Sequence, residues 1–265
     1  MGLKRKLRRF ENLQKIADES ADSDDVPGRL AKAASRVWQR RLIVKVRMAA
    51  SAASLMMASP ALALEEDPQV WGAATATISA NDKVVVWLEA QGRFSDDASR
   101  LGQLLLRPAV GLKLDKTTTA FIGYAYVFTD PIGPASSDEH RIWQQLNWRL
   151  LGDGQGVTVT GRTRFEQRFR QGSSDMGLRF RQLLRVTAPT SSAVRLVGWH
   201  ESFIAIDDTN WGQRSGFDRM RNFVGIAYPV NANVSIEPGY MNEYVRLRAQ
   251  DRMNHIASLT INTTF

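Results

Sequence analysis

From residue 71 to the end of the chain, apolar and polar positions alternate at the two-residue period of a β-strand. The alternation comes in runs bounded by turn signals. The runs are Trp71–Ser79, Val84–Phe94, Leu101–Leu114, Thr117–Phe128, His140–Leu151, Val157–Arg170, Met176–Ala188, Val194–Ile206, Phe217–Tyr228, Val234–Tyr244 and Met253–Phe265. The sixth is the clearest. Val157, Val159, Phe165 and Phe169 share one face, and Arg162, Arg164, Glu166, Arg168 and Arg170 share the other. In the last run Phe265, Thr263, Ile261, Leu259, Ala257 and His255 oppose Thr264, Asn262, Thr260, Ser258, Ile256 and Asn254. No stretch after residue 64 carries a convincing helical period.

Most runs are longer than the usual soluble strand of about five or six residues. They match the length of a tilted membrane strand. Their connections alternate between short (114–116, 152–156, 189–192, 229–233) and long (129–139, 171–175, 207–215, 246–252). That asymmetry is a habit of outer-membrane barrels, which also close on an aromatic-ended strand. The expected fold class is therefore all-β: a transmembrane antiparallel β-barrel of about ten strands, with twelve as the alternative. An even count leaves Trp71–Ser79 without a wall position, so this run is expected inside the lumen or along the rim. Val84–Phe94 is then the expected neighbour of the closing strand. A soluble barrel with its Arg face outward carries the same alternation and is the competing fold.

The formal charge of +8 has a local origin. Residues 1–64 hold 13 Lys and Arg against 6 Asp and Glu, so the remainder of the chain is close to neutral. A nucleic-acid partner is accordingly not expected. Residues 1–40 read as a charged extension. Residues 41–63 read as a secretory signal peptide, with Arg40, Arg41, Lys45 and Arg47 ahead of a modestly apolar Met48–Met57 and a small-x-small site at Ala61-Leu62-Ala63. Residues 64–265 form the expected barrel, exported to the bacterial outer membrane. The chain has no Cys, which excludes disulfides, thiolate metal sites and Cys nucleophiles.

Trp71 with its hairpin into Trp87-x-Glu89-x-x-x-Arg93, the repeated pairs of strands joined by short turns, the strand bearing Glu201 and the aromatic end resemble the outer-membrane barrels grouped as domain-of-unknown-function family 2490. The resemblance implies an outer-membrane location and supplies no catalytic residue.

Candidate chemistry lies on the polar face. The residues expected to line the lumen are Glu89, Arg93, Arg107, Arg149, Arg162, Arg164, Glu166, Arg168, Arg179, Arg181, Arg185, Arg195, Glu201, Arg219, Arg221, Glu237 and Glu243. Arg–carboxylate pairs can form a rigid lattice that holds the barrel's shape. The excess of Arg favours a narrow, anion-attracting pore. No cofactor or metal is expected, because no His cluster has ligand spacing. Expected partners are outer-membrane lipid, small anions and, through Phe265 as assembly signal, the barrel-assembly machinery. The principal alternatives are a lipid-acting hydrolase with His200 and Ser202, or His255 and Ser258, as a Ser/His pair, and a soluble periplasmic ligand-binding barrel.

Overall fold

The computed structural model describes residues 65–265, so the expected extension and signal peptide lie outside the described residues. Eleven strands form one closed sheet: β1 (Glu65–Ser79), β2 (Val84–Ser95), β3 (Arg100–Lys113), β4 (Thr118–Thr129), β5 (Ser137–Leu151), β6 (Thr158–Arg170), β7 (Met176–Pro189), β8 (Arg195–Ala205), β9 (Gly216–Pro229), β10 (Val234–Val245) and β11 (Arg252–Thr264). Each strand pairs antiparallel with its sequence neighbour, and β1 closes the ring against β11. The strands run from 11 residues in β8 to 15 in β1 and β5.

The closure corrects the expected count and the expected seam. The wall has eleven strands instead of ten, because the run around Trp71 is a full wall strand. It begins six residues earlier than the alternation indicated, at Glu65. It lies parallel to β11, from Glu65↔Arg252 to Thr77↔Thr264, and separates β11 from β2. A purely antiparallel closed sheet requires an even count. One parallel pair permits an odd one, since a strand then closes the ring without reversing direction.

The reason lies in the side chains of β1. Its inward face carries Gln69 and Trp71, both buried, and its outward face carries Gly72, Ala74 and Ala76. Trp71 is 3% exposed and packs in a cluster with Val197, Phe223, Met241 and Ile256. An indole of that size anchors the strand in the wall. At the turn-side end Phe265 donates its N–H to the Thr77 carbonyl, and its own carbonyl accepts from Ser79, both at 2.8 Å. Deleting Phe265 removes two main-chain bonds worth about 1 kcal/mol each. The yield of closed barrel on refolding into detergent micelles, read by heat-modifiable gel mobility, is expected to fall below that of the full chain.

The wall is inside out relative to a soluble barrel. Leu88, Leu106, Val110, Leu112, Ile122, Ile142, Leu184, Val224, Leu259 and Ile261 stand exposed on the outer face, while Arg107, Arg141, Arg164, Arg179, Arg181 and Arg221 are buried within. Strand β4 departs from this rule. Its inward Ala125 and Val127 join Leu105, Ala109 and Trp143 in an apolar cluster inside the lumen, with Trp87 and Phe121 packed against it. Gly123 makes room for it: a Cβ there would meet the Trp143 ring at 2.2 Å.

Candidate functional site

The inward side chains of β5 to β11 form a charge lattice. Strand register builds it, because one inward row pairs Glu201 with Arg221, Arg221 with Glu243 and Glu243 with Asn254 across four adjacent strands. Arg162 and Arg181 both donate to Glu201 Oε1 at 2.8 Å, and Arg181 also reaches Glu166 at 2.6 Å. Arg179 holds the other Glu166 oxygen at 2.6 Å and Asp218 at 3.3 Å. Asp218 accepts from Arg219 at 3.2 Å, and Arg219 reaches Glu243 at 3.4 Å. Arg221 donates twice to Glu243, at 2.8 and 2.6 Å, and Asn254 satisfies its second oxygen at 2.8 Å. Opposite charges thus alternate without a break from Arg162 to Arg221. Separate pairs join Arg107 to Glu89 at 2.7 Å and Arg185 to Glu237 at 2.5 Å. Arg141 and Arg168 share Glu139, each at 2.6 Å.

Aromatic rings hold several guanidinium planes. Arg93 lies 3.8 Å from the centre of the Trp71 ring, and Arg221 approaches the same ring at 4.9 Å. Arg181 and Arg221 flank Phe203 at 4.4 and 4.7 Å. Arg164 stands 4.1 Å from Trp143. Desolvated contacts of this type are worth about 2 kcal/mol each, and they fix the planar groups against swinging.

Cavities of about 520 and 950 Å³ open at the loop-side rim, and two more share their lining at the middle of the lumen. The turn-side one measures about 500 Å³ and the loop-side one about 190 Å³. Arg93, Arg107, Arg181 and Arg221 line both, so they form the waist between them. Nε of Arg107 at that waist and Nε of Arg162 in the turn-side cavity have no hydrogen-bond acceptor. Both terminal nitrogens of the buried Arg164, which lines neither cavity, and the Trp143 Nε1–H beside it lack one as well, with Glu166 at 3.6 Å from Arg164. The β8–β9 loop bends into the loop-side end. Gln213 there accepts from Arg168 at 2.9 Å, and Trp211 lines the smaller cavity. At the tip of this loop, the Ser215 N–H bonds Asp208 at 2.6 Å and holds its carboxyl below the ordinary range.

Most sequence-predicted residues meet in this lattice. Arg149 sits exposed at the turn-side mouth. Arg195 turns to the rim and donates to the Gly156 carbonyl at 2.7 Å. Three lattice members are absent from the expected lumen set. Glu139 falls in what reads as a loop beside Pro131 and Pro134. Arg141 shares the polar parity of β5 but lies next to His140 at the start of the run. Asp218 enters the lumen because the register shifts between Phe203 and Ile204. No sequence signal marks that shift.

The three His residues all face outward. His140 meets the Tyr124 hydroxyl at 2.5 Å, and His255 meets the Tyr240 hydroxyl at 2.6 Å. Ser258 faces the lumen, so the His255–Ser258 pair does not form. His200 and Ser202 do meet, at 2.7 Å, and Asn222 closes on the other ring nitrogen at 2.7 Å. Strand β8 stays in unbroken register with β7, so both residues keep the outward parity. Among the described residues, no cluster of three or more His, Asp or Glu is placed to hold a metal ion.

A family model described as protein of unknown function, DUF2490, matches residues 68–254. An uncharacterised protein of Methylorubrum extorquens is 39% identical over 200 residues, spanning 74% of this chain and 87% of that protein. Among solved structures, a NanC porin aligns with a TM-score of 0.42 and 13% identity, covering 68% of this chain and 87% of the porin.

Proposed function

The chain belongs to the DUF2490 family, and from that premise we propose that it is an outer-membrane β-barrel whose lumen is a narrow, anion-favouring pore. The observation that carries the location is the inverted wall: large apolar side chains cover the outside and charges fill the inside. Water-soluble proteins rarely expose contiguous apolar patches beyond a few hundred Å². A soluble ligand-binding barrel would turn that face inward. Outward Trp148, Tyr228, Tyr240 and Tyr244 fit the aromatic girdles of a membrane wall.

The observation that carries selectivity is the waist. Four Arg side chains divide the two central cavities, and Nε–H of Arg107 and Arg162, which line them, lack acceptors. An anion supplies the missing acceptors, and a cation meets repulsion. The lattice keeps the passage small, because eleven strands enclose little more than side chains of this size fill.

Planar-bilayer recording tests the reading. Small conductance steps are expected, with a reversal potential in a KCl gradient that reports chloride over potassium. The double variant Arg93→Gln, Arg107→Gln is expected to move that reversal potential toward cation preference. Silence from correctly folded wild-type protein would leave the lattice a purely structural plug.

A further inference from the structure

We propose that Ser202, His200 and Asn222 form a catalytic triad on the outer wall that hydrolyses the acyl ester of a membrane lipid. The inference rests on the outer wall facing lipid, and its chemistry can be tested apart from that reading.

Strand geometry assembles the three groups. His200 and Ser202 are two residues apart on β8 and therefore share a face. Asn222 is the direct cross-strand partner of His200 on β9. The His200 Nε2 lies 2.7 Å from Ser202 Oγ, and the Nδ1 lies 2.7 Å from Asn222 Oδ1. The orientation of the Asn222 amide follows from its other end, which donates to Asn242 Oδ1 at 3.0 Å. Its oxygen must then accept from His200, which puts the imidazole proton on Nδ1 and leaves Nε2 as the base facing the Ser202 hydroxyl. Nucleophile, base and orienting group stand in the order that acyl transfer requires.

Gln182 on β7 is the direct cross-strand partner of Ser202. Its side chain is held toward β6, where its carbonyl oxygen accepts from Thr163 at 2.7 Å, which leaves the approach to the Ser202 hydroxyl free of that amide.

The surroundings define the substrate. Leu184, Leu196, Ile204 and Val224 stand exposed around the triad. Polar groups on such a wall cost free energy in lipid and call for a functional reason. Ser202 lies three residues from the loop-side end of β8, within about 10 Å of the rim along the strand. That depth is where glycerol esters meet the hydrocarbon. Ser202 Oγ attacks the ester carbonyl while His200 Nε2 takes its proton. Collapse of the tetrahedral intermediate breaks the ester C–O bond, and the leaving alcohol takes the proton back. Water then attacks the acyl-serine, giving its proton to Nε2, and Ser202 is regenerated as it is released with the fatty acid. The sum is ester plus water to alcohol plus carboxylic acid.

The experiment uses the full chain, folded in detergent micelles and reconstituted into phosphatidylethanolamine vesicles, with heat-modifiable mobility confirming each variant's fold. A fluorescent fluorophosphonate is expected to label Ser202, as mapped by mass spectrometry, and vesicles are expected to release fatty acid. Ser202→Ala abolishes both. His200→Ala lowers both by about 10²- to 10⁴-fold. Asn222→Ala lowers hydrolysis, and Asn222→Asp, which still accepts from Nδ1–H, restores most of it. A merely structural polar cluster would not show that rescue. Folded, membrane-inserted protein that takes no label and releases no more fatty acid than Ser202→Ala overturns the triad and leaves the barrel reading intact. Labelling of Ser202 in protein recovered from the soluble fraction would do the reverse.

Discussion

Glu201→Ala is expected to destabilise the barrel by about 3–5 kcal/mol, the cost of leaving buried charge without its partner. Glu201 is 2% exposed and is the shared acceptor of Arg162 and Arg181, with Arg221 as its cross-strand neighbour. Removing it leaves two guanidinium groups facing each other in a closed space. Only Arg181 keeps a second carboxylate, at Glu166. Urea unfolding in micelles, followed by Trp fluorescence, measures the loss. The double variant Glu201→Ala, Arg162→Met should recover part of it, because Arg162 has Glu201 as its acceptor and an apolar replacement for both partners removes the stranded charge. Equal midpoints for wild type and Glu201→Ala would show that the lattice contributes nothing to the fold.

Trp71→Ala is the second large effect, expected at about 3–5 kcal/mol from lost burial and the cavity left behind. The indole packs against β8 to β11 through Val197, Phe223, Met241 and Ile256, and Arg93 and Arg221 stand against its ring. The same substitution discriminates between architectures. In a ten-strand wall, Trp71 would be a lumen or rim residue, and its loss would spare closure. In the eleven-strand wall it anchors the closing strand, so the variant should expose the β1 and β11 amides together in hydrogen exchange. Protection unchanged in both strands would remove β1 from the wall.

The alternation made the two faces of most strands legible. In β6, Arg162, Arg164, Glu166 and Arg168 recur at strict period two, and a one-residue slip would send every one of them outward. The place of β1 was not legible, because Gly72, Ala73, Ala74, Thr75 and Ala76 offer almost no contrast between faces. Parallel closure is also a fact about strands far apart in sequence. The apolar interior beside β4 was hidden for a related reason: Phe121, Ala125 and Val127 alternate with Ile122 and Tyr124, and apolar residues on both faces give no direction. Single side chains were hardest to read. Asn222 sits between Arg221 and Phe223 with nothing to distinguish it, and it gains meaning only when register sets it across from His200.

The parallel seam also sets where the wall begins and ends. In an even-stranded barrel both ends of the wall return to one rim. Here β1 starts beside Phe94 and the 96–99 loop, whereas β11 finishes at the β1–β2 turn. The first wall residue, Glu65, therefore lies at the long-loop rim, and Phe265 lies at the opposite one. An odd wall thus presents its first and last residues at opposite rims, where an even one brings them to the same rim.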